Sequence, residues 1–270
     1  MSLLNDYFGF SHTPFSRDIP AAKLFAAPGH QQVQGRLAFA LHERLPALIT
    51  GEIGLGKSTA IRAFVHSLDQ NLFPLVYLPN PRLDVAALYA QILLALHLEP
   101  AYSFARSQPQ LRETLRALAR KNRFPLLIVD DAHLLPPDLF DQLRFLLNDE
   151  MDATSLLSLV LVGQPDLAAK LRFEPYQALN QRLAVRYVLP RFDLAETSAY
   201  VKHHLQVVGY TQPLFADGFI SGLHDQARGV PRLINNICRA ALLLAATEGK
   251  RLLDETDLKR VLLDLQLPPA

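Results

Sequence analysis

Residues 51–59, GEIGLGKST, fit the pattern G-x-x-x-x-G-K-[ST], with Gly51, Gly56, Lys57 and Ser58 at its fixed positions. Glycines let the backbone curl so that its N–H groups face one point, and a helix that follows directs its positive end to the same point. Lys57 would then reach the outer phosphates of a nucleotide, and the Ser58 hydroxyl would ligate Mg²⁺. The loop predicted to bind the phosphates of ATP consists of Gly51, Glu52, Ile53, Gly54, Leu55, Gly56, Lys57, Ser58 and Thr59.

Short apolar runs alternate with helical patterns on both sides of this loop. The runs lie at 47–50, 74–78, 125–130, 156–162 and 185–189, and the helical patterns between them at 57–68, 84–98, 110–121, 137–147 and 166–180. Nearly continuous apolar strands separated by helices are typical of a parallel sheet that helices cover on both faces. The fold class predicted from this pattern is α/β with five parallel strands.

The last 80 or so residues carry only helical patterns, at 194–208, 214–226, 231–246 and 255–265. A further helix is predicted at 29–45, after a stretch rich in proline and aromatic residues. We therefore expect three parts: an N-terminal arm and helix (1–45) that packs on the core, a nucleotide-binding α/β domain (46–191) and a small helical lid domain (192–270).

Composition limits the classes of protein to which the chain can belong. Half of the 270 residues are hydrophobic, there is one cysteine, and the net charge is +1. A single cysteine rules out an internal disulfide or a cysteine-based metal site. No run approaches the roughly 18–20 apolar residues of a membrane span, so a cytoplasmic protein without a membrane partner is expected.

The stretch LLIVDDAH at 126–133 ends a predicted strand with two adjacent aspartates. Two neighbouring carboxylates at the rim of a buried sheet repel each other unless a cation lies between them. In nucleotide-binding sheets an aspartate at this position holds Mg²⁺, which assigns the metal to Asp130 together with Ser58. Asp131 is then predicted to orient the attacking water; the alternative is that both aspartates only cap the strand end.

Charge is segregated along the chain between residues 101 and 152. Residues 101–124 hold six basic residues against one acidic, a net +5, whereas 125–152 hold seven acidic against one basic, a net −6. The basic stretch is either the solvated face of an amphipathic helix or a surface that meets phosphates. If it binds duplex DNA, the candidate contacts are Arg82, Arg106, Arg112, Arg116, Lys121 and Arg123, with Arg82 and Arg106 expected in loops.

Several stretches together resemble the AAA+ ATPases, and among them the ExeA, TniB and TnsC group, to which phage Mu B protein is functionally related. They are YFGFSHTPFSRD (7–18), GEIGLGKST, LLIVDDAH, LVGQPDL (161–167), LNQRLAVRYVLPRF (179–192) and GVPRLINNIC (229–238). The resemblance implies a P-loop NTPase fold with a helical lid, Mg²⁺-dependent hydrolysis of ATP, and assembly into a ring or helical filament.

The resemblance also implies roles for single residues. Gln164 matches a polar sensor of the γ-phosphate, and Arg232 a second sensor on the lid. Arg182 matches the arginine that one subunit supplies to its neighbour's γ-phosphate; Arg186 is the alternative. Phe15 and His30 would line the adenine pocket.

One position departs from the family pattern. Relatives usually have Asp-Glu where this chain has Asp130-Asp131. The Asp131 carboxylate is one methylene, roughly 1.5 Å, closer to the backbone, and misplacement of that order can cost about a hundredfold in rate. Hydrolysis is therefore expected to be slow or dependent on a partner.

The preferred functional hypothesis is an ATPase that assembles on double-stranded DNA and regulates transposition by recruiting a transposase. The second is an ExeA-type secretion ATPase, which is expected to need a membrane span and a further domain. The third is a replication ATPase of the initiator or clamp-loader type.

Overall fold

The computed structural model describes residues 3–79, 81–150 and 154–266. Within these ranges one parallel sheet is formed by β1 (Ala47–Thr50), β2 (Leu75–Leu78), β3 (Leu126–Val129), β4 (Ser158–Gly163) and β5 (Val185–Val188). The strands lie in the order β2-β3-β4-β1-β5, and each neighbouring pair is parallel. The five-stranded parallel sheet predicted from the apolar runs is confirmed.

Burial of the strands follows their order in the sheet. Every residue of the central strands β1, β3 and β4 is buried, whereas the edge strands β2 and β5 alternate between buried and exposed positions. Helices that connect parallel strands cover both faces of the sheet, so the central strands can be apolar throughout.

The helices follow the predicted order along the chain. They are α1 (Leu3–Phe8), α2 (Pro28–His42), α3 (Lys57–His66), α4 (Val85–Ala95), α5 (Phe104–Arg120), α6 (Pro137–Leu146), α7 (Pro165–Lys170), α8 (Gln177–Arg182), α9 (Leu194–Val207), α10 (Asp217–Ala227), α11 (Pro231–Glu248) and α12 (Glu255–Asp264). No helix within the described ranges is both long and apolar enough to cross a bilayer.

Most predicted helices shift by three residues or fewer at either end, and two differ more from the prediction. The pattern at 166–180 divides into α7, a 3₁₀ turn at Glu174–Tyr176 and α8, because Pro175 cannot donate the backbone hydrogen bond of a continuous helix. Helix α5 begins at Phe104 rather than at residue 110, and runs through Pro109. Its first turns are held by side chains, since Ser107 donates to the carbonyl of Ala101 (3.1 Å) and Gln110 to that of Glu99 (2.8 Å). Arg106 therefore lies in a helix and not in the expected loop.

The chain separates into two compact units. One contains residues 29–53 and 57–189 with the whole sheet, and the other contains residues up to 28, 54–56 and those from 190 onward. The N-terminal arm was expected to pack on the α/β core together with its helix. Instead Phe8, Phe10 and Phe15 belong to the buried core of the helical unit, while α2 belongs to the sheet unit. The division at residues 45 and 191 stays a prediction.

In the sheet unit, an ion pair fastens the basic helix α5 to the segment before β4. The Arg116 guanidinium donates to both carboxylate oxygens of Asp149, at 3.1 and 2.7 Å, and the Asp149 side chain is buried. Asp149 also pairs with Thr154 in an isolated antiparallel bridge. The hydrogen bonds from Arg116 lower the pKa of the Asp149 carboxyl.

In the helical unit, Phe15, expected beside the adenine, is buried and stacks on His204 with ring centroids 5.0 Å apart. The edge of Tyr200 approaches the same imidazole, with centroids at 4.4 Å. His204 Nδ1 has no hydrogen-bond partner among the described residues. Burial lowers the pKa of His204 to about 3, so the ring is neutral in the folded protein.

Replacing Arg116 by Met should destabilise the protein at neutral pH, because the buried Asp149 carboxylate loses its counter-charge. The folded-state pKa of Asp149 is lowered, so this stabilisation is present above the ordinary Asp pKa of about 3.9 and is lost as the pH falls through the folded-state value. Thermal unfolding midpoints across pH measure the effect. Arg120→Met, at an exposed position of the same helix, is the control; equal effects of the two substitutions would contradict the interpretation.

The free energy of unfolding should fall as the pH drops from about 6.5 toward 3, because His204 binds its proton only after unfolding. A single such group contributes a slope of up to about 1.4 kcal/mol per pH unit. His204→Phe keeps an aromatic ring between Phe15 and Tyr200 but cannot titrate, so denaturant titrations should show a shallower slope. The exposed His42→Phe should leave the slope as it is. A wild-type slope in His204→Phe would show that another group dominates.

Candidate nucleotide-binding site

The phosphate-binding loop connects β1 to α3. Gly54 and Gly56 have φ values of +85° and +90°, a backbone region that side chains with a Cβ rarely adopt. The Gly51 N–H donates to the carbonyl of Gly163 at the end of β4 (3.2 Å), which anchors the start of the loop. Helix α3 begins at Lys57, and its first N–H groups have no partner within the helix. The curled loop and the N-terminal end of α3 therefore form a site that can bind an anion such as a phosphate.

Lys57 is held inside this loop. Its Nζ donates to the carbonyl oxygens of Gly51 (2.7 Å) and Glu52 (2.8 Å), and its side chain is largely buried. The ammonium group therefore lies beside the loop backbone that would surround a nucleotide's phosphates, where the motif predicts it.

The tip of the loop packs against the first turn of α11. The Arg232 N–H donates to the carbonyl of Gly54 (3.2 Å), and a Cβ added at Gly54 would lie only 2.9 Å from Arg232 Cβ. These residues belong to the same compact unit. The backbone of Arg232 thus contacts the loop, while the sensor role of its side chain stays a prediction.

Asp130 is the buried carboxylate of the site. Its Oδ2 accepts hydrogen bonds from the Ser58 hydroxyl (2.7 Å) and the Tyr77 hydroxyl (2.9 Å), and its Oδ1 accepts from the Asp131 N–H (2.9 Å). Burial and the Asp130 charge raise the pKa of Tyr77, so its hydroxyl stays a donor. The two residues predicted to hold Mg²⁺ are therefore in direct contact.

Ser58 and Asp130 offer hydroxyl and carboxylate oxygens, which are the ligands that Mg²⁺ prefers. No group of three or more His, Cys, Asp or Glu that could hold a metal occurs within the described ranges. A Mg²⁺ ion at this pair would thus take its remaining ligands from nucleotide phosphates and water. The residues fit the magnesium–nucleotide complex rather than a permanent metal site.

Asp131 and Gln164 lie on either side of His133. Asp131 has a left-handed backbone (φ +48°), and 53% of its side chain is exposed. Gln164 follows β4 directly, and its Nε2 lies 2.9 Å from His133 Nε2. His133 Nδ1 lies 4.0 Å from Asp131 Oδ1. The structure therefore brings both predicted hydrolytic residues to one imidazole.

Arg182 and Arg186, the two candidates for the arginine that one subunit supplies to the γ-phosphate of its neighbour, differ in their surroundings. Arg186, in β5, donates to the carbonyl (2.6 Å) and the side-chain oxygen (2.7 Å) of Asn180 and to the carbonyl of Leu183 (3.1 Å). Its guanidinium caps the end of α8. Arg182 is the last residue of α8 and is partly exposed, and its neighbour-directed role stays a prediction.

The six predicted DNA contacts also separate into two groups. Arg116 is bound to Asp149, and Arg123 Nε donates to the carbonyl of Asn71 (2.6 Å). The side chains of Arg82, Arg106, Arg112 and Lys121 are exposed. Of these, Arg106 and Arg112 lie in α5, Lys121 caps it, and Arg82 lies in the loop after β2. Arg116 and Arg123 are therefore already bound to acceptors within the chain.

Two residues of the site were missed by sequence reasoning. In β2, buried and more exposed residues alternate, and Tyr77 is at one of the more exposed positions. A polar aromatic residue at such a position was the one feature of the sequence that could have indicated a role for it. His133 stands within LLIVDDAH, but its spacing alone does not indicate that it meets Gln164, 31 residues later.

Comparison with known proteins agrees with this geometry. Residues 41–171 match a family model described as "AAA domain". The chain is also similar to general secretion pathway protein A of Aeromonas hydrophila, with 33% identity over 250 residues. The match covers 92% of this chain and 46% of that protein, so the chain spans about half the length of this relative.

Solved structures with a similar fold include Cdc6p from Pyrobaculum aerophilum (TM-score 0.73, 16% identity) and the ORC2 protein of Aeropyrum pernix (0.69, 15%). Each of these matches covers 93% of this chain and 70% of the other. The Holliday junction branch migration motor RuvB of Thermotoga maritima aligns over 88% of this chain and 70% of its own, with TM-score 0.61 and 17% identity. Identities this low support the fold alone. The strand order, the phosphate-binding loop and these similarities together show that the chain has a P-loop NTPase fold, and residues 41–171 are similar to the AAA domain family.

Proposed function

We propose that the chain binds ATP with Mg²⁺ and hydrolyses it to ADP and phosphate. The observation that carries this proposal is the 2.7 Å contact between Ser58 Oγ and Asp130 Oδ2 beside the loop that holds Lys57. When bound, Mg²⁺ neutralises charge on the β- and γ-phosphates. Ser58 and Asp130 would hold the ion, and the loop N–H groups and Lys57 would bind the phosphates.

The hydrolytic step needs a water molecule in line with the γ-phosphate. Asp131 is the exposed carboxylate closest in sequence to the metal pair, and it would accept a hydrogen bond from that water. Gln164 follows the neighbouring strand β4 and would contact the water or the phosphate through its amide. Arg232 would contact the phosphate from the first turn of α11.

Arg182 would complete the site of a second copy of the chain. An arginine supplied in trans stabilises negative charge that develops on the transferred phosphoryl group. Its position as the last and partly exposed residue of α8 supports this role. The proposal therefore includes a homo-oligomer, either a ring or a helical filament, in which hydrolysis depends on assembly.

The secretion pathway is the cellular process that the comparisons favour. Identity of 33% over 92% of the chain relates it to general secretion pathway protein A, which was the second hypothesis from sequence. Transposition, the preferred hypothesis from sequence, receives no support from the comparisons. We propose an ATPase of the secretion-pathway type, in which nucleotide state controls a partner in that pathway.

A DNA-directed ATPase is the second candidate, and the observation that favours it is the exposed basic face of α5. Arg106, Arg112 and Lys121 present their charges to solvent within and at the end of one helix. Exposed arginine and lysine side chains on one helix can neutralise phosphates of a duplex. Recruitment of a transposase belongs to this second candidate.

ATP turnover tests the proposed reaction. Lys57→Ala should abolish ATP binding, Asp131→Asn should slow hydrolysis, and Asp131→Glu should speed it by about tenfold or more, because a longer side chain corrects a misplacement of ~1 Å. Phosphate release should be followed with and without duplex DNA. Asp138→Asn, an exposed aspartate of α6, should leave the rate unchanged. If Glu does not accelerate and Asn does not slow turnover, Asp131 does not position the water.

DNA affinity as a function of salt separates the two candidate roles. If α5 contacts phosphates, then Arg106→Ala, Arg112→Ala and Lys121→Ala should each reduce the slope of log affinity against log salt by about 0.9. Fluorescence anisotropy with a labelled duplex and an ATP analogue measures it. Lys259→Ala, an exposed lysine paired with Glu255, is the matched control. No binding, or binding that ignores both salt and ATP, would eliminate the DNA role and leave the secretion-type ATPase.

A further inference from the structure

His133, like Tyr77, is a site residue to which neither the motifs nor the family resemblance gave a role. It lies in the 3₁₀ turn Ala132–Leu134 directly after Asp131, and only 13% of its side chain is exposed. Each ring nitrogen faces a polar group of the site. Nε2 lies 2.9 Å from Gln164 Nε2, and Nδ1 lies 4.0 Å from Asp131 Oδ1.

The contact with Gln164 fixes which nitrogen of a neutral His133 carries the proton. An amide nitrogen can only donate, so His133 Nε2 must accept. A neutral imidazole that accepts at Nε2 carries its proton on Nδ1. The N–H bond is thus on the nitrogen that faces the Asp131 carboxylate.

That Nδ1 is buried and has no hydrogen-bond partner among the described residues. A buried donor without a partner is unfavourable, so a rearrangement that gives it an acceptor is favoured. Asp131 Oδ1 needs to approach by only about 1 Å to reach the usual hydrogen-bond range. The half-exposed Asp131 side chain has the freedom for such a movement, whereas the imidazole is enclosed.

Close packing holds the turn that carries His133. A Cβ added at Gly163 would lie 2.7 Å from Leu167 Cδ2 and 3.4 Å from the His133 backbone nitrogen, so the turn lies against the end of β4. Lys170 Nζ donates to the carbonyl of Leu135 (2.7 Å) and ties α7 to the end of the same turn. The imidazole is therefore the fixed member of the group, and the two flexible side chains meet on it.

We propose that His133 is a positioning residue that joins Asp131 to Gln164 during hydrolysis. Its Nδ1–H donates to one oxygen of the Asp131 carboxylate, and its Nε2 accepts from the Gln164 amide. The second oxygen of Asp131 and the carbonyl oxygen of Gln164 then remain for the attacking water. The hydrogen bond from His133 fixes the direction of the Asp131 carboxylate, whose side chain is one methylene shorter than the usual glutamate. This inference rests on the proposed ATPase activity of the site.

Steady-state kinetics of three substitutions tests the two halves of the link separately. His133→Gln places an amide oxygen near the position of Nε2 and retains the acceptor for Gln164, while His133→Asn places an amide N–H near Nδ1 and retains the donor for Asp131. His133→Ala removes both. We expect Ala to lower kcat at least tenfold with KM and ADP affinity within about twofold, and Gln and Asn each to restore part of kcat.

A double-variant comparison adds the coupling to Gln164. If Gln164 acts only while His133 holds it, His133→Ala combined with Gln164→Ala should be no slower than His133→Ala alone. His66→Ala, at the exposed end of α3, is the matched control and should have wild-type kcat. Unchanged kcat in His133→Ala, or losses that multiply in the double variant, would overturn the proposal.

The proton position gives a readout that does not require turnover. In ¹⁵N NMR of the wild-type chain, the imidazole signal that disappears in His133→Gln should show protonated Nδ1 and unprotonated Nε2. A chain that hydrolyses ATP but carries the His133 proton on Nε2 overturns the link alone. A wild-type chain that hydrolyses no ATP, assembled or not, overturns the proposed function and with it the hydrolytic role of His133.

Discussion

A buried carboxylate at the end of β3 is the constraint on which the rest of the nucleotide site depends. The buried Asp130 side chain accepts hydrogen bonds from three donors, the hydroxyls of Ser58 and Tyr77 and the N–H of Asp131, and a buried polar group without such partners would be costly. Those donors come from α3, from β2 and from the turn after β3. Satisfying one carboxylate therefore fixes the ends of three elements relative to one another within the sheet unit.

The strand order makes this convergence possible. β3 and β1 are separated by β4, whose last residue, Gly163, accepts the hydrogen bond from the Gly51 N–H. The phosphate loop therefore starts from the same edge at which Asp130 and Gln164 emerge. Because parallel strands present their carboxyl ends at one edge, a ligand site forms there without contributions from the opposite edge.

Asp131, in the turn after Asp130, has an unfavourable left-handed backbone conformation because its N–H must reach the Asp130 carboxylate. A non-glycine residue in the left-handed region costs about 1–3 kcal/mol and persists only when its surroundings determine it. Asp131 is held there by its N–H bond to Asp130, while close packing at Gly163 and the bond from Lys170 to Leu135 fix the residues that follow. The strained backbone conformation fixes where the Asp131 side chain leaves the chain, beside Asp130 and His133, which suits the proposed water-positioning role.

Local signals in the sequence were sufficient for the sheet, the phosphate loop and the Ser58–Asp130 pair, because strand period and loop motif act over a few residues. They were not sufficient where the partner is distant in the chain. Arg116 lies one helical turn after Arg112, yet its guanidinium pairs with the buried Asp149, 33 residues later, while 46% of its side chain stays exposed. Arg186 was the alternative to Arg182 for the neighbour-directed role, and the sequence did not indicate that Arg186 donates to Asn180, six residues earlier. The charge pattern of a sequence thus indicates which side chains are candidates for binding a polyanion. Tertiary contacts then determine which of these candidates are already bound to other residues of the chain. In this chain Arg116 and Arg123 are bound to Asp149 and to the carbonyl of Asn71. These contacts weaken the physical case for DNA binding, and they raise the relative weight of the 33% identity to a secretion-pathway protein.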